Sequence, residues 1–223
     1  QKQFPEIKSI TESVNPDKTN VIMGKTVSVL MGSACITDKM CNCAIDISPQ
    51  SFYQVNTAQA EKLYQLAKLY ADLQGNETLL DLYCGAGTIG LSMADSVEKL
   101  IGVEVIPSAV ENAWRNAEQN HISNAEFYCG DAGTVAEMLL KSKINPDVIM
   151  LDPPRKGCND LTIQSAVQMH PSRIVMISCN PSTAARDAAK FAESGYITKK
   201  VRAVDLFPNT AHVECIILLS RQK

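Results

Sequence analysis

The chain has 223 residues, of which 45% are hydrophobic and 20% charged, with a formal net charge of −3. This suits a soluble globular protein with a sizeable core, one full domain plus some additional chain. No apolar run approaches the ~20 residues of a membrane span, no signal-peptide pattern opens the chain, and the net charge argues against strong RNA binding by charge alone. The 8 cysteines are scattered, and without a secretory signal they read as reduced thiols of a cytoplasmic protein.

Residues 1–50 alternate in a strand-like way. Val27-Ser28-Val29-Leu30 and Cys43-Ala44-Ile45-Asp46-Ile47 are the predicted strands, with turns at Asn15-Pro16-Asp17-Lys18 and Met31-Gly32-Ser33. A small antiparallel β segment, the tail of a preceding domain, is expected there, and the main domain over 51–223. Cys41-x-Cys43 is compact, but the usual metal pair is Cys-x-x-Cys and no fourth ligand lies nearby, so no metal site is expected. Asn56 or Thr57 caps a helix running to Ala71, with Ala60, Leu63, Tyr64, Ala67, Leu69 and Tyr70 as its apolar stripe. Strands then fall near 78–83, 99–104, 125–129, 147–151 and 173–178. They alternate with helices near 88–95, 107–120, 133–142, 160–169 and 182–193. That alternation predicts a parallel sheet covered on both faces. Gly195-Tyr196 breaks the last helix, and two long strands, about 196–207 and 211–220, close the chain as a hairpin.

Three strand ends carry chemistry. Leu79-Leu80-Asp81-Leu82-Tyr83-Cys84-Gly85-Ala86-Gly87-Thr88-Ile89-Gly90 runs from a strand through a glycine-rich turn into a helix, where backbone approach is close and N–H donors are open. Gly85-x-Gly87-x-x-Gly90 formally matches the dinucleotide fingerprint, and the next strand ends in Glu104, placed to accept from both ribose hydroxyls. These features predict an adenine-nucleoside cofactor, either NAD or S-adenosylmethionine. Asp147-Val148-Ile149-Met150-Leu151-Asp152-Pro153-Pro154-Arg155-Lys156-Gly157 is an apolar strand ending in an acid and a rigid proline loop. Arg173-Ile174-Val175-Met176-Ile177-Ser178-Cys179-Asn180-Pro181 puts a thiol at a strand's carboxyl end facing a helix N-terminus. Such a place is expected to lower its pKa.

Asp-x-x-x-Gly-x-Gly resembles the first motif of class I methyltransferases. Asp152-Pro153-Pro154-Arg155-Lys156-Gly157, Ser178-Cys179-Asn180-Pro181, His212-Val213-Glu214 and Ser51-Phe52-Tyr53-Gln54-Val55-Asn56 together resemble the uracil-C5 RNA methyltransferase family, from about Phe4 to the end. The resemblance implies an α/β, Rossmann-like class I fold with a mostly parallel seven-stranded sheet and a C-terminal antiparallel hairpin. It implies methylation of carbon 5 of a uridine in tRNA or 23S rRNA. Cys179 would be the nucleophile, Glu214 the base and His212 a candidate proton partner. S-adenosylmethionine would be held by Gln54, Tyr83, Gly85, Thr88, Glu104, Asp131 and Asp152, leaving S-adenosylhomocysteine as product. Arg155 and Phe52 would face the RNA, with Tyr53 and Phe207 as further stacking candidates. Cys84 and Cys215 read as packing residues and Cys158 as a bystander thiol. Relatives carry an N-terminal OB-like module and, in many members, iron–sulfur ligands. A chain opening Gln1-Lys2-Gln3 is therefore expected to be a catalytic fragment without a cluster.

Other readings use part of these signals. An NAD-dependent oxidoreductase accounts for the glycines and Glu104 but leaves Asp-Pro-Pro-Arg and Ser-Cys-Asn-Pro unexplained. An enzyme methylating exocyclic amino groups shares Asp-Pro-Pro but needs no cysteine. An RNA-binding module with a degenerate pocket would not keep every expected polar group.

Overall fold

The computed structural model describes residues 3–16, 24 and 26–222. Two hairpins come first. Strand β1 (Ser9–Val14) pairs antiparallel with β2 (Thr26–Gly32), and β3 (Ile36–Met40) with β4 (Cys43–Ile47). The predicted strands are β2 and β4; their partners β1 and β3 are additional. Met31 and Gly32 belong to β2, so the predicted turn there begins only at Ser33, after the left-handed Gly32 (φ 80°). Of the turn predicted over Asn15–Lys18, Asp17 and Lys18 lie outside the described residues.

The rest alternates. Helix α1 (Thr57–Ala71) leads to β5 (Thr78–Leu82), α2 (Thr88–Leu91), β6 (Lys99–Glu104), α3 (Pro107–Gln119), β7 (Ala125–Cys129) and α4 (Ala132–Lys141). Then come β8 (Val148–Leu151), α5 (Asp160–Gln168), β9 (Arg173–Ser178), α6 (Pro181–Glu193), β10 (Tyr196–Val204) and β11 (Glu214–Arg221). The sheet order is β10-β11-β9-β8-β5-β6-β7, with β11 antiparallel to both neighbours and the remaining pairs parallel. The order reverses between β5 and β8, the switch point outside which ligands bind in open α/β sheets.

Alternate strand residues serve two cores, as the two-residue period of a strand requires. Leu79, Leu100, Val148, Val175 and Ile216 pack beneath α1, α2 and α3, whereas Leu80, Ile101, Ile149, Ile174 and Ile217 pack beneath α4, α5 and α6. Asn56 caps α1 through its side chain, as predicted. Leu69, placed on the apolar stripe by spacing, is instead 66% exposed. Helix α2 is one turn long where a helix to residue 95 was predicted. The Ser92 hydroxyl donates to Ile89 O at 2.6 Å, Met93 N turns back to Gly90 O, and a 3₁₀ turn at Ala94–Ser96 follows. Strand β4 is tied to α3, because Asn120 Oδ1 accepts from Ala44 N and Asn116 Oδ1 from Asp46 N.

Candidate active site

Strand parity gathers the reactive side chains. Asp81 follows Leu79 on the face of α1–α3. Glu104, Asp152, Cys179 and Glu214 fall on the same face, in step with Leu100, Val148, Val175 and Ile216. The β9–β11 register ends at Ser178 opposite Cys215. The next residues, Cys179 and Glu214, therefore meet across the open end of the sheet.

A cleft of about 640 Å³ opens there. Phe52, Gln54, Tyr83, Gly85, Glu104, Asp131, Asp152, Arg155, Cys179 and Glu214 all line it. Thr88 is the exception among the predicted residues: it is buried and lines a small adjoining space with Gln54, Tyr83 and Asp152. Val105, Ala132, Lys156 and Asn159 also line the cleft without having been predicted. Each lies next to, or a few residues beyond, a recognised motif, and adjacency was the available signal. Phe52 is 71% exposed at the rim. Tyr53 instead donates to Asp38 on β3, and Phe207 packs on the core and against the His212 ring. Cys84, Cys158 and Cys215 are buried in the cores.

On the glycine-turn side, Tyr83 (φ 69°), Gly85 (φ 57°) and Gly87 (φ 82°) fold the chain back on itself. A Cβ at Gly85 would meet nothing within 4 Å, so that position opens to the cleft; at Gly87 it would touch Leu91 and Ala113. Glu104 Oε2 accepts from Gly85 N at 3.1 Å and its Oε1 from Ile106 N at 2.8 Å. Asp81 Oδ2 accepts from Gly90 N at 2.9 Å, while its Oδ1 is buried without a partner. Asp131 caps α4 through Oδ1, and the Tyr83 hydroxyl lies 3.2 Å from that of Thr162.

On the thiol side, burial pushes the Cys179 thiol above its ordinary value, and Glu214 and Asp152 push it further; Arg155 pulls weakly the other way. The expectation of a thiol acidified by the helix is thus corrected. Two carboxylates face it, and the Asn180 side chain already occupies the N–H of Ser182. Burial also raises Glu214. It brings Asp152 to about 8, with help from Glu214 and Asp81, and Asp81 to about 7. Among the described residues no ion pair involves Asp81, Glu104, Asp152 or Glu214. Carboxyl groups and the cations Arg155 and Lys156 thus share the lining of the cleft.

The proline loop is clamped to α6. Asn180 Nδ2 and Thr183 Oγ1 both donate to Arg155 O at 3.2 Å, Arg186 donates to Lys156 O, and buried Asp187 accepts from Cys158 N at 2.8 Å. Arg155 Nη2 lies 3.5 Å from His212 Nδ1, which places His212 with the guanidinium at the mouth.

A switch-point cleft, a glycine turn and strand-end acids under a β11 hairpin define the class: a Rossmann-like methyltransferase fold. The chain belongs to the tRNA (uracil-5-)-methyltransferase family, whose model matches residues 35–222. It is 47% identical over 219 residues to an uncharacterised RNA methyltransferase of Bacillus cereus, covering 98% of this chain and 48% of the relative. With one of Lactiplantibacillus plantarum it shares 48% over 224 residues, covering 100% of this chain and 49% of that protein. The chain thus spans about half the length of these relatives. The crystal structure of Pyrococcus abyssi tRNA (uracil-54, C5)-methyltransferase in complex with S-adenosyl-L-homocysteine superposes with a TM-score of 0.80. It is 31% identical and covers 98% of this chain and 52% of that one.

Proposed function

We propose that this chain is the catalytic portion of an enzyme that methylates carbon 5 of a uridine in tRNA or 23S rRNA, with S-adenosylmethionine as donor and Cys179 as covalent nucleophile. The observation that carries this is the meeting of Cys179 and Glu214 at the end of β9 and β11, inside a cleft at the switch point.

The residues fit the cofactor. The open side of Gly85 leaves room for close approach, and Glu104, which lines the cleft, retains lone pairs for ribose. Asp131 and Gln54 line the adjoining walls. When bound, the cofactor supplies an electrophilic methyl group.

Cys179 acts on the base. Its thiolate adds to carbon 6 of uracil, forming a C–S bond and making carbon 5 a nucleophile. With the electron pair of the former C5–C6 double bond, carbon 5 would take the methyl group, leaving S-adenosylhomocysteine. Glu214 then removes the carbon-5 proton, the C5–C6 double bond re-forms, and the thiolate leaves. Because the resting thiol is held protonated, its proton must first pass to a neighbouring carboxylate. Asp152, which burial raises to about 8, lies near enough to the operating pH for that exchange. The uridine must leave its stack to reach the thiol, and Phe52 at the rim stands ready to cover the flipped base. The compartment that goes with such a substrate is the cytoplasm.

A denaturing gel with 5-fluorouridine RNA and labelled methyl donor tests this. Cys179→Ala should form no adduct and transfer no methyl, with cofactor binding retained. Glu214→Gln should accumulate a methylated protein–RNA adduct on ordinary RNA. An active Cys179→Ala enzyme would sink the covalent route. Mapping 5-methyluridine in treated tRNA and 23S rRNA decides between the two targets.

A further inference from the structure

The structure assigns the outer edge of the sheet, strand β10, as a contact surface for RNA phosphates, a step that rests on the RNA substrate proposed above. β10 is the edge strand, and Lys199 to Ala203 are exposed in sequence. Lys200 pairs with Leu218 and Arg202 with Ile216. Directly opposed residues share a face, and Leu218 and Ile216 pack on the α1 side. Lys200 and Arg202 therefore project from the same face as Cys179 and Glu214. Val204 pairs with Glu214 itself. At ~3.4 Å per residue, Arg202 and Lys200 lie roughly 7 and 14 Å along the strand from that point.

The Lys200 ammonium sits 5.2 Å over the Tyr70 ring, a cation–π contact that positions it at the edge. Beyond it, a groove of about 890 Å³ gathers Lys200, Arg221 and Arg173 with Ser172, Ser220 and Asp72. Arg173 is bound to Asp72 and Glu77, but among the described residues Lys199, Lys200, Arg202 and Arg221 make no ion pair. In a chain of net charge −3, Lys200 and Arg202 form a one-sided pair in line with Arg155 and His212 at the cleft mouth. Lysines also guard edge strands against unwanted pairing. Acidic residues would guard as well, and the row on this strand holds cations alone. A polyanion laid along the edge, with one nucleotide turned into the cleft, matches both the charge and the direction.

The test compares K200A/R202A with K141A/K143A, a pair at the end of α4, on the unaltered chain's background. Binding of a fluorescein-labelled 20-nucleotide uridine-containing RNA is read by anisotropy across a salt series. Loss of two phosphate contacts should flatten the slope of log K against log salt by about 1.4 in K200A/R202A. The α4 pair should leave the slope unchanged. An unchanged slope in K200A/R202A overturns the assignment, and leaves the strand to edge protection or to an acidic protein segment. The fluorouridine adduct, measured at saturating RNA, separates the two ideas. Its absence from the unaltered chain overturns the reaction, whereas its presence alongside an unchanged slope overturns only the phosphate track.

Discussion

Glu104 illustrates how one side chain both shapes a turn and lines the cleft. Each carboxylate oxygen holds one backbone N–H, at Gly85 and at Ile106, and so shapes the turn that borders the cleft. Under the proposed function the remaining lone pairs of Glu104 would accept from the cofactor's ribose. Glu104→Ala should weaken S-adenosylhomocysteine binding roughly tenfold or more, since charge-assisted bonds contribute ~1.5–3 kcal/mol each. Calorimetry checks this, and unchanged affinity would remove Glu104 from the site. Residues of this kind were legible because each acid stands at the end of an apolar run. The protonation of Cys179 was not. Its controlling neighbours, Asp152 and Glu214, arrive from β8 and β11, and no local pattern announces that they converge on it.

At the scale of elements, two glycines of the same turn do opposite work. A Cβ at Gly90 would meet Leu100 Cδ1 at 2.8 Å and Asp81 Oδ2 at 2.9 Å. Gly90→Ala should therefore cost about 1–3 kcal/mol of stability through overpacking, read as a lower denaturation midpoint. Gly85 has open space but a left-handed φ of 57°. Gly85→Ala should lose about 1 kcal/mol from the backbone and, in addition, affinity for S-adenosylhomocysteine. Full retention of both quantities in Gly85→Ala would mean that nothing approaches that backbone. The central strands and long helices were readable because burial on both faces makes continuous apolar runs. β1 and β3 were not singled out, since Ser9–Val14 and Ile36–Met40 are largely exposed and carry weak apolar alternation. The early end of α2 turns on the Ser92 hydroxyl, which a propensity reading treats as neutral.

Over the whole molecule, buried acid makes the ligand-free fold sensitive to pH in an unusual direction. Asp81 and Asp152 stand at about 7 and about 8, against ~3.9 in an unfolded chain. Between those values the folded chain binds more protons than the unfolded one. The stability they contribute is full below pH ~4 and is lost as pH rises through the folded values. The exposed Asp95, Glu126 and Asp160, shifted the other way by lysine partners, offset this little. The melting temperature without ligand should fall by several degrees between pH 5 and 8. Asp152→Asn should flatten the curve; a wild-type melting temperature climbing steadily over that range would refute the assignment. The bonds between the second hairpin and α3 bear on how this chain can be shortened as a laboratory reagent. Asn116 is wholly buried, and its carboxamide oxygen is satisfied by Asp46. Cutting ahead of Ser51 would strip that partner, and Asn120's as well, from the helix flanking the cofactor side of the cleft. A shortened form that keeps this fold should accordingly retain the segment from Cys35 onward.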